Sequence, residues 1–195
     1  MQKISRSDVR DLVQYEKVRD EMRRRLIALK RSRRVAVGDR LTFLFENRET
    51  VLFQIQEMMR TERMVDEQKI AEEIEINNEM IPGERELSVT MFIEVDEPGQ
   101  IREVLDRFQG IDRGEVVYFE VGGRRRIPGI FEGGRSKEDK ISAVHYAKFP
   151  FSEAARDAFL DLSLPVDLVV NHPRYTARTK IDGETRQGLI EDLTS

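Results

Sequence analysis

The spacing of apolar residues predicts helices in the first half of the chain. Val18, Met22, Leu26 and Leu29 recur every three or four positions, which is typical of a helix with one buried side. Alternation in LTFLFE, residues 41–46, instead indicates a strand. The predicted helices are a short one capped by Ser5 or Ser7, then 16–32, 47–64 with Asn47 as its cap, and 66–80.

Strand patterns dominate the second half. In residues 87–95 the odd-numbered positions are all apolar and face one way, as in a half-buried strand. Further strands are predicted at 115–121, 124–131, 141–149, 166–170 and 175–181, with a polar loop at 132–140 and helices at 98–108, at 152–162 and after a capping Asp182. Gly122 and Gly123 suit a hairpin turn, and Pro128 restricts its second arm to an edge or a bulge.

These elements predict an α+β fold, with N-terminal helices packed on a mainly antiparallel sheet. A chain of 195 residues suits one domain, here 1–195, with a helical subregion at 1–83 and a strand-rich subregion at 84–195. No stretch approaches the ~18–20 apolar residues that span a bilayer, and the first residues lack the apolar centre of a secretory signal. Cysteine is absent, which excludes disulfides, a thiolate nucleophile and cysteine-held metal clusters. We therefore expect a cytoplasmic protein without a membrane segment.

Long polar side chains interrupt the apolar segment from Thr42 to Met64. Burying such groups is costly unless partners satisfy them, so they indicate either a structural network or a ligand site. The candidate polar cluster consists of Glu46, Arg48, Gln54, Glu57, Arg60, Glu94 and His145. The structural interpretation is favoured, because networks of this kind commonly orient helices on sheets. In either case Gln54 and Glu57 are predicted to be buried and bonded to groups on the strands.

The two histidines do not form a metal-binding pattern. Alternation places His145 on the apolar face of its strand, which favours a core histidine, whereas His172 is expected to be exposed in an Asn-His-Pro turn. No E-x-x-H pair is present, so the ferritin-like di-iron pattern is excluded, and a carboxylate-only site with Glu57, Glu73 or Glu94 is the remaining alternative. No nucleophile-elbow, phosphate-loop or dinucleotide motif occurs either. We assign no catalytic residue, no cofactor and no metal.

Charge is distributed unevenly along the chain, although the net charge is only −4. Residues 17–34 carry nine basic and two acidic side chains, whereas residues 57–97 carry thirteen acidic and four basic ones. Arg23, Arg24, Arg31 and Arg34 are predicted to form a basic surface that binds an acidic protein surface, including region 57–97 of the same or another copy. Nucleic acid is disfavoured, because no aromatic residue is interleaved among these arginines.

Several segments, in this order, resemble a bacterial protein family catalogued as a domain of unknown function. They are YEKVR, FENRETVLFQIQEMMR, NNEMIP, ELSVTMFIE, KISAVHYAKFPF and NHPRY, and the similarity extends nearly from end to end. The resemblance implies no activity and no catalytic residues. Genes of this family often neighbour rubrerythrin-like and Fe–S oxidoreductase genes, so the resemblance suggests an accessory role in oxidative-stress or electron-transfer chemistry.

The favoured function is therefore that of a non-catalytic accessory or interaction protein, whose partner is a protein such as a redox enzyme, or another copy of the chain. The alternative is a small-molecule or metal-binding enzyme that uses the buried Glu/Gln/Arg cluster. A third hypothesis is nucleic-acid binding through the basic helix of residues 17–34.

Overall fold

The elements lie close to their predicted positions in the computed structural model, which describes residues 1–133 and 141–195. Most of the predicted loop at 132–140 lies outside the described residues. The α-helices are α1 Leu12–Arg33, α2 Arg48–Thr61, α3 Glu67–Asn78, α4 Ile101–Arg107, α5 Glu153–Leu160 and α6 Gly183–Thr194. The strands are β1 Arg34–Val37, β2 Leu41–Glu46, β3 Glu86–Ile93, β4 Val117–Val121, β5 Arg125–Pro128, β6 Ile130–Phe131, β7 Val144–Pro150, β8 Val166–His172 and β9 Tyr175–Lys180.

Helix α1 is longer than the apolar spacing predicted. It begins after Asp11, whose Oδ1 accepts a hydrogen bond from the backbone N–H of Gln14 at 2.8 Å and so caps the helix. The additional turn brings Tyr15 into the protein, where it is completely buried. The helix ends at Arg33 and passes directly into β1, a strand that the sequence analysis missed.

The cap of the last helix also differs from the prediction. Asp182 does precede α6, but its side chain makes no capping hydrogen bond. Its carboxylate instead lies 3.2 Å from the ammonium group of Lys180, at the end of β9. The Asp182 carboxylate was predicted to cap the first turn of α6, but it pairs with Lys180 instead.

The strands form two antiparallel sheets. The first sheet has the order β1-β2-β3-β7-β6, and the second has the order β5-β4-β8-β9. Strand β2 comes from the predicted helical subregion and pairs along its whole length with β3 of the strand-rich subregion, with Phe43 opposite Met91. The two subregions are thus joined by one sheet. The predicted α+β class is confirmed.

The main core lies between the two sheets. Phe119 of β4 packs against Phe45 of β2, with a ring-centre distance of 5.8 Å, and against Phe149 of β7 at 4.8 Å. Phe159 of α5 meets the same Phe119 ring edge to face, at 5.5 Å. Because these rings are fully buried, the core fixes how the two sheets face each other.

The chain crosses from the second sheet to the first at Gly129. Strand β5 pairs with β4 and ends at Pro128, whereas β6 begins at Ile130 and pairs with β7. A Cβ atom at Gly129 would lie only 3.0 Å from the Phe149 ring, so a glycine lets the crossing strand pass close to the core. Pro128 was predicted to restrict its strand to an edge or a bulge, and β5 does lie at the edge of the second sheet.

A second core covers the outer face of the first sheet. Val51, Ile55 and Met59 form the buried side of α2, and Ile70 and Ile74 form that of α3. All six residues of β2 are buried, because one face of the strand meets the second sheet and the other lies under α2. Polar residues on this outer face are therefore enclosed by the helices.

Candidate functional site: a lateral groove beside α2 and α3

Glu46 of the predicted polar cluster holds the beginning of α2 on the sheet. Its side chain is 3% exposed, and its two carboxylate oxygens accept hydrogen bonds from Thr90 of β3 at 2.6 Å and from Thr50 of α2 at 2.5 Å. Asn47 caps the helix as predicted, because its Oδ1 accepts from the N–H groups of Glu49 and Thr50, each at 3.0 Å. These bonds describe a structural joint between β2, β3 and α2.

Glu57 joins α2 to α1. Its carboxylate accepts two hydrogen bonds from the guanidinium of Arg19, at 2.7 and 2.9 Å, and one from the Tyr15 hydroxyl at 2.7 Å. The Arg19 hydrogen bond, joined by that of Tyr15, lowers the pKa of Glu57 from 4.5 to about 2, against an opposing effect of burial. Burial, joined by the hydrogen bond to the same carboxylate, raises the pKa of Tyr15.

The prediction that Glu57 would bond to the strands is wrong. At 3.6 residues per turn, Glu57 lies about 200° around the helix axis from Ile55, whose side chain is completely buried against the sheet. Glu57 therefore faces α1, and Arg60 joins it there with its Nε 3.4 Å from the carboxylate. Gln54 is half-buried. It points neither to the sheet beneath α2 nor to α1, because it lines a groove at the side of α2.

Two further polar residues of this segment anchor the N-terminal residues. Arg48 pairs with Asp8 at 2.7 Å, and this ion pair contributes to lowering the pKa of Asp8 to about 2, after the hydrogen bond from the Ser5 backbone. Gln56, which was not part of the predicted cluster, is 1% exposed and exchanges hydrogen bonds with both backbone groups of Arg10, at 2.7 and 3.1 Å. The sequence signal for this buried contact is a glutamine on the apolar side of an amphipathic helix.

The remaining predicted residues lie elsewhere. His145 is buried on the inner face of β7, as predicted, with Nε2 2.8 Å from the carbonyl oxygen of Ser142 and Nδ1 3.9 Å from a carboxylate oxygen of Asp112. Glu94 is exposed beyond the end of β3. The structure therefore brings Glu57 and Arg60 together but separates the predicted cluster as a whole, because helix packing directs its members to different neighbours.

The expectation for His172 is wrong. Its side chain is buried at 4% exposure, with Nε2 2.9 Å from the carbonyl oxygen of Gln109. The His172 ring also lies 6.5 Å from the ring of Phe108, which directly follows α4. Strand β8 includes His172, and the side chain points from the strand toward the segment after α4. The turn follows at Pro173 and Arg174.

A groove of about 760 Å³ runs between α2 and α3 on one side and β3, β7 and β6 on the other. We call it the lateral groove, and its lining includes Gln54, Met58, Glu73, Ile76, Ile130 and Lys148. Three of these residues are large apolar side chains left in solvent: Met58 is 39%, Ile76 67% and Ile130 60% exposed. Sites of this volume accommodate ligands or the side chains of a docked segment.

The rim of the lateral groove is acidic. Glu73, Glu79, Glu86 and Glu132 contribute carboxylates to the lining, against the ammonium group of Lys148. Glu86 neutralises that ammonium at 3.2 Å and also accepts a hydrogen bond from the backbone of Gly83 at 3.0 Å. The described lining therefore combines exposed aliphatic surface with an excess of negative charge.

The predicted basic surface lies on α1. Arg23, Arg24 and Arg31 of α1 are exposed, and so is Arg34 at the start of β1. Arg33 differs from them, because its guanidinium is buried and makes two hydrogen bonds to the carboxylate of Asp192 in α6, at 2.6 and 2.8 Å. The basic segment therefore supplies both a solvent-facing surface and an internal attachment for the helix.

The described residues contain neither a group of metal ligands nor a membrane-spanning helix. Among residues 1–133 and 141–195, no three histidine or acidic side chains are grouped as a metal ion would require. Within the same residues, no helix has the length and apolar character needed to cross a membrane.

Comparison with known proteins supports the resemblance noted from the sequence motifs. The chain is similar over 98% of its length to the crystallised protein of unknown function from Burkholderia pseudomallei K96243, all of which is covered, with 29% identity and a TM-score of 0.90. A search of curated proteins found no match. The model of a family described as protein of unknown function (DUF3501) matches residues 3–193. Since this match spans almost the whole chain, the protein belongs to the DUF3501 family.

Proposed function

We propose that the protein is a non-catalytic accessory protein that binds a partner protein in the lateral groove. The observation that carries the proposal is the exposure of Met58, Ile76 and Ile130 on the walls of one groove. Isolated exposed apolar residues are ordinary on protein surfaces, but several of them lining one concavity are typical of an interaction site.

The charge of the groove defines the expected partner segment. Glu73 lies on the same helix as Ile76 and Glu79 directly follows that helix, so carboxylates flank the exposed side chain of Ile76. A matching segment presents an aliphatic residue to the groove and lysine or arginine residues to its rim. Complementary charges of this kind favour correct encounters and exclude acidic competitors.

For the identity of the partner, we propose a redox enzyme as the first class to test. This part of the proposal rests on the family resemblance and its suggested gene neighbours rather than on the geometry of the groove. The polar cluster does not compete as an alternative site, because Glu46 and Glu57 are engaged in separate helix joints.

Site-specific photo-crosslinking tests the proposal. A photoreactive phenylalanine analogue replaces Ile76 in the full chain, and the same analogue replaces Leu162 as a matched control. Leu162 is 71% exposed but does not line the lateral groove. We expect a discrete adduct with an identifiable protein from position 76 in the native host, and no such adduct from position 162.

The purified adduct partner then allows a quantitative test. Ile76→Lys and Ile130→Lys should each weaken its binding about tenfold or more, because they remove apolar contact and add repulsion with a basic segment. Leu162→Lys should leave binding unchanged, and circular dichroism checks that all variants are folded. Equal crosslinking from both positions, or equal weakening by the control variant, would contradict the proposal.

A further inference from the structure

The outward face of α1 has exposed arginines and aliphatic side chains, which match the acidic rim and the aliphatic walls of the lateral groove. Helical spacing places Val13, Arg24, Ile27 and Arg31 on the side opposite the buried residues Tyr15 and Leu26. Val13 is 70% and Ile27 49% exposed. Ile27 lies between Arg24 and Arg31, whereas Val13 lies near the beginning of the helix, with the exposed Asp20 between it and Arg24. We call Val13, Arg24, Ile27 and Arg31 the outer α1 face.

The arginines of this face have no acidic partner in their own described surroundings. No carboxylate in residues 1–133 or 141–195 forms an ion pair with Arg24 or Arg31, whereas the neighbouring Arg25 pairs with Glu49 at 3.1 Å. The only described hydrogen bond from the Arg24 side chain runs to the backbone oxygen of Asp20, in the preceding turn. Both guanidinium groups are therefore placed to bind an external carboxylate.

We infer that the lateral groove accepts the outer α1 face of a second copy of this chain. Ile27 would contact the aliphatic groove walls around Ile76, while Arg24 and Arg31 would meet the rim carboxylates of Glu73 and Glu79. This inference rests on the proposed function of the groove and names one occupant for it. The occupant is supported by complementary charge and by exposed aliphatic residues on both surfaces.

The contact must form between molecules rather than within one. Helix α1 is held on its own body by the Arg19–Glu57 and Arg33–Asp192 ion pairs, and its outer face points away from that body. Each copy therefore offers one groove and one face, so two copies make one such contact, or two if a two-fold axis relates them. A bound copy occupies the groove, so self-association and partner binding exclude each other at that site.

Paired disabling variants test this arrangement. A face variant combines Arg24→Glu with Arg31→Glu, and a groove variant combines Ile76→Lys with Glu79→Lys. Sedimentation velocity from micromolar to millimolar concentration should show self-association of the unmodified chain and about tenfold or greater weakening in each variant. An equimolar mixture of the face variant and the groove variant should form dimers but nothing larger, because each mixed pair retains only one intact groove and one intact face.

Arg102→Glu combined with Arg107→Glu supplies the matched control. These arginines are exposed on α4 and give the same change in net charge, so this variant should associate like the unmodified chain. The inference is overturned if the unmodified chain stays monomeric, if the mixture of the two disabled variants does, or if the control dissociates equally. Binding of duplex nucleic acid at physiological ionic strength, lost in the face variant alone, would also overturn it.

Failure of this inference is distinguishable from failure of the proposed function. A monomeric chain that crosslinks through position 76 to a different protein retains the groove as a binding site and loses only the second copy as its occupant. A chain that self-associates through both surfaces, with crosslinks between identical chains, supports the inference directly.

Discussion

Replacing Glu57 by glutamine removes the carboxylate that holds Tyr15 and Arg19 of α1 against α2. A pKa lowered from 4.5 to about 2 means that the folded state favours the ionised form by about 3 kcal/mol, at ~1.4 kcal/mol per tenfold change in acidity. The carboxylate is 25% exposed, so solvent weakens its interactions. We therefore expect Glu57→Gln to lower the free energy of unfolding by about 2 kcal/mol at pH 7.

The same substitution has a defined pH dependence. Because the folded pKa lies below the unfolded value, the stabilisation by Glu57 is complete above about pH 4.5 and is lost as the pH falls toward 2. Urea unfolding of the unmodified protein and of Glu57→Gln should therefore give curves that differ at pH 7 and converge in acid. The difference between the two proteins isolates Glu57 from the other carboxylates that protonate in this range.

Glu49→Gln is the matched control, because Glu49 lies on the same helix and also pairs with α1. Its ion pair with Arg25 is exposed, with side-chain exposures of 54% and 70%, so its loss should cost at most about 0.5 kcal/mol. If Glu57→Gln destabilises no more than Glu49→Gln, or if its effect is independent of pH, the assigned role of Glu57 is refuted.

Three further outcomes are expected. Asp192→Asn leaves the buried Arg33 guanidinium without its counter-ion and should cost about 3–5 kcal/mol in urea unfolding, whereas Arg33→Met with Asp192→Leu should recover most of that loss. Gly38→Ala should lower the melting temperature more than Gly114→Ala, since both residues have positive φ but, of the two, only a Cβ at Gly38 would clash with Tyr175 Oη; Tyr175→Phe should partly relieve that clash. Elemental analysis of purified protein should find no stoichiometric iron or zinc, because cysteine is absent and no three acidic or histidine side chains are grouped as ligands among the described residues.

Periodicity predicted most elements because their apolar spacing is regular, and it missed β1 because that strand lacks such a signal. Residues 34–37 contain two buried valines, no turn residue separates them from α1, and four positions are too few for alternation to be distinctive. Pairing of β1 with β2 supplies the backbone partners that define the strand. This information is tertiary and does not appear in the local pattern.

Alternation also gave an incomplete account of burial in β3. The apolar positions face the main core as predicted, but Ser88 and Thr90 on the opposite face are buried as well. Thr90 donates a hydrogen bond to Glu46 beneath α2, at 2.6 Å. A polar face in a sequence therefore indicates hydrogen-bonding partners, and water is only one of the candidates.

The lateral groove could not be predicted from the sequence, since its walls come from separate segments that meet only through strand pairing. Ile76 and Glu73 belong to α3, Ile130 to β6 and Lys148 to β7, and β6 reaches this sheet only because the chain crosses at Gly129. A local signal did exist in α3, where Ile76 stands on the exposed side of a helix whose buried residues are Ile70, Ile74 and Asn77. An exposed isoleucine among glutamates on a helix was therefore the sequence signal for this surface.

Residue type alone suggests that polar side chains face solvent or a ligand and that apolar side chains fill the core. Between Thr42 and Met64 polar side chains are bonded inside the protein, whereas the apolar side chains of the groove are exposed. Glu46, Gln56 and Glu57 have hydrogen-bond partners inside the protein, so their cost of burial is offset by fixing α1 and α2 in place. Met58 of the same helix faces the groove, because Gln56 and Glu57 bind the N-terminal residues and α1 while Met59 packs into the core. In this chain the internal polar bonds therefore determine which apolar side chains remain exposed, and those side chains form the surface that we propose as the binding site.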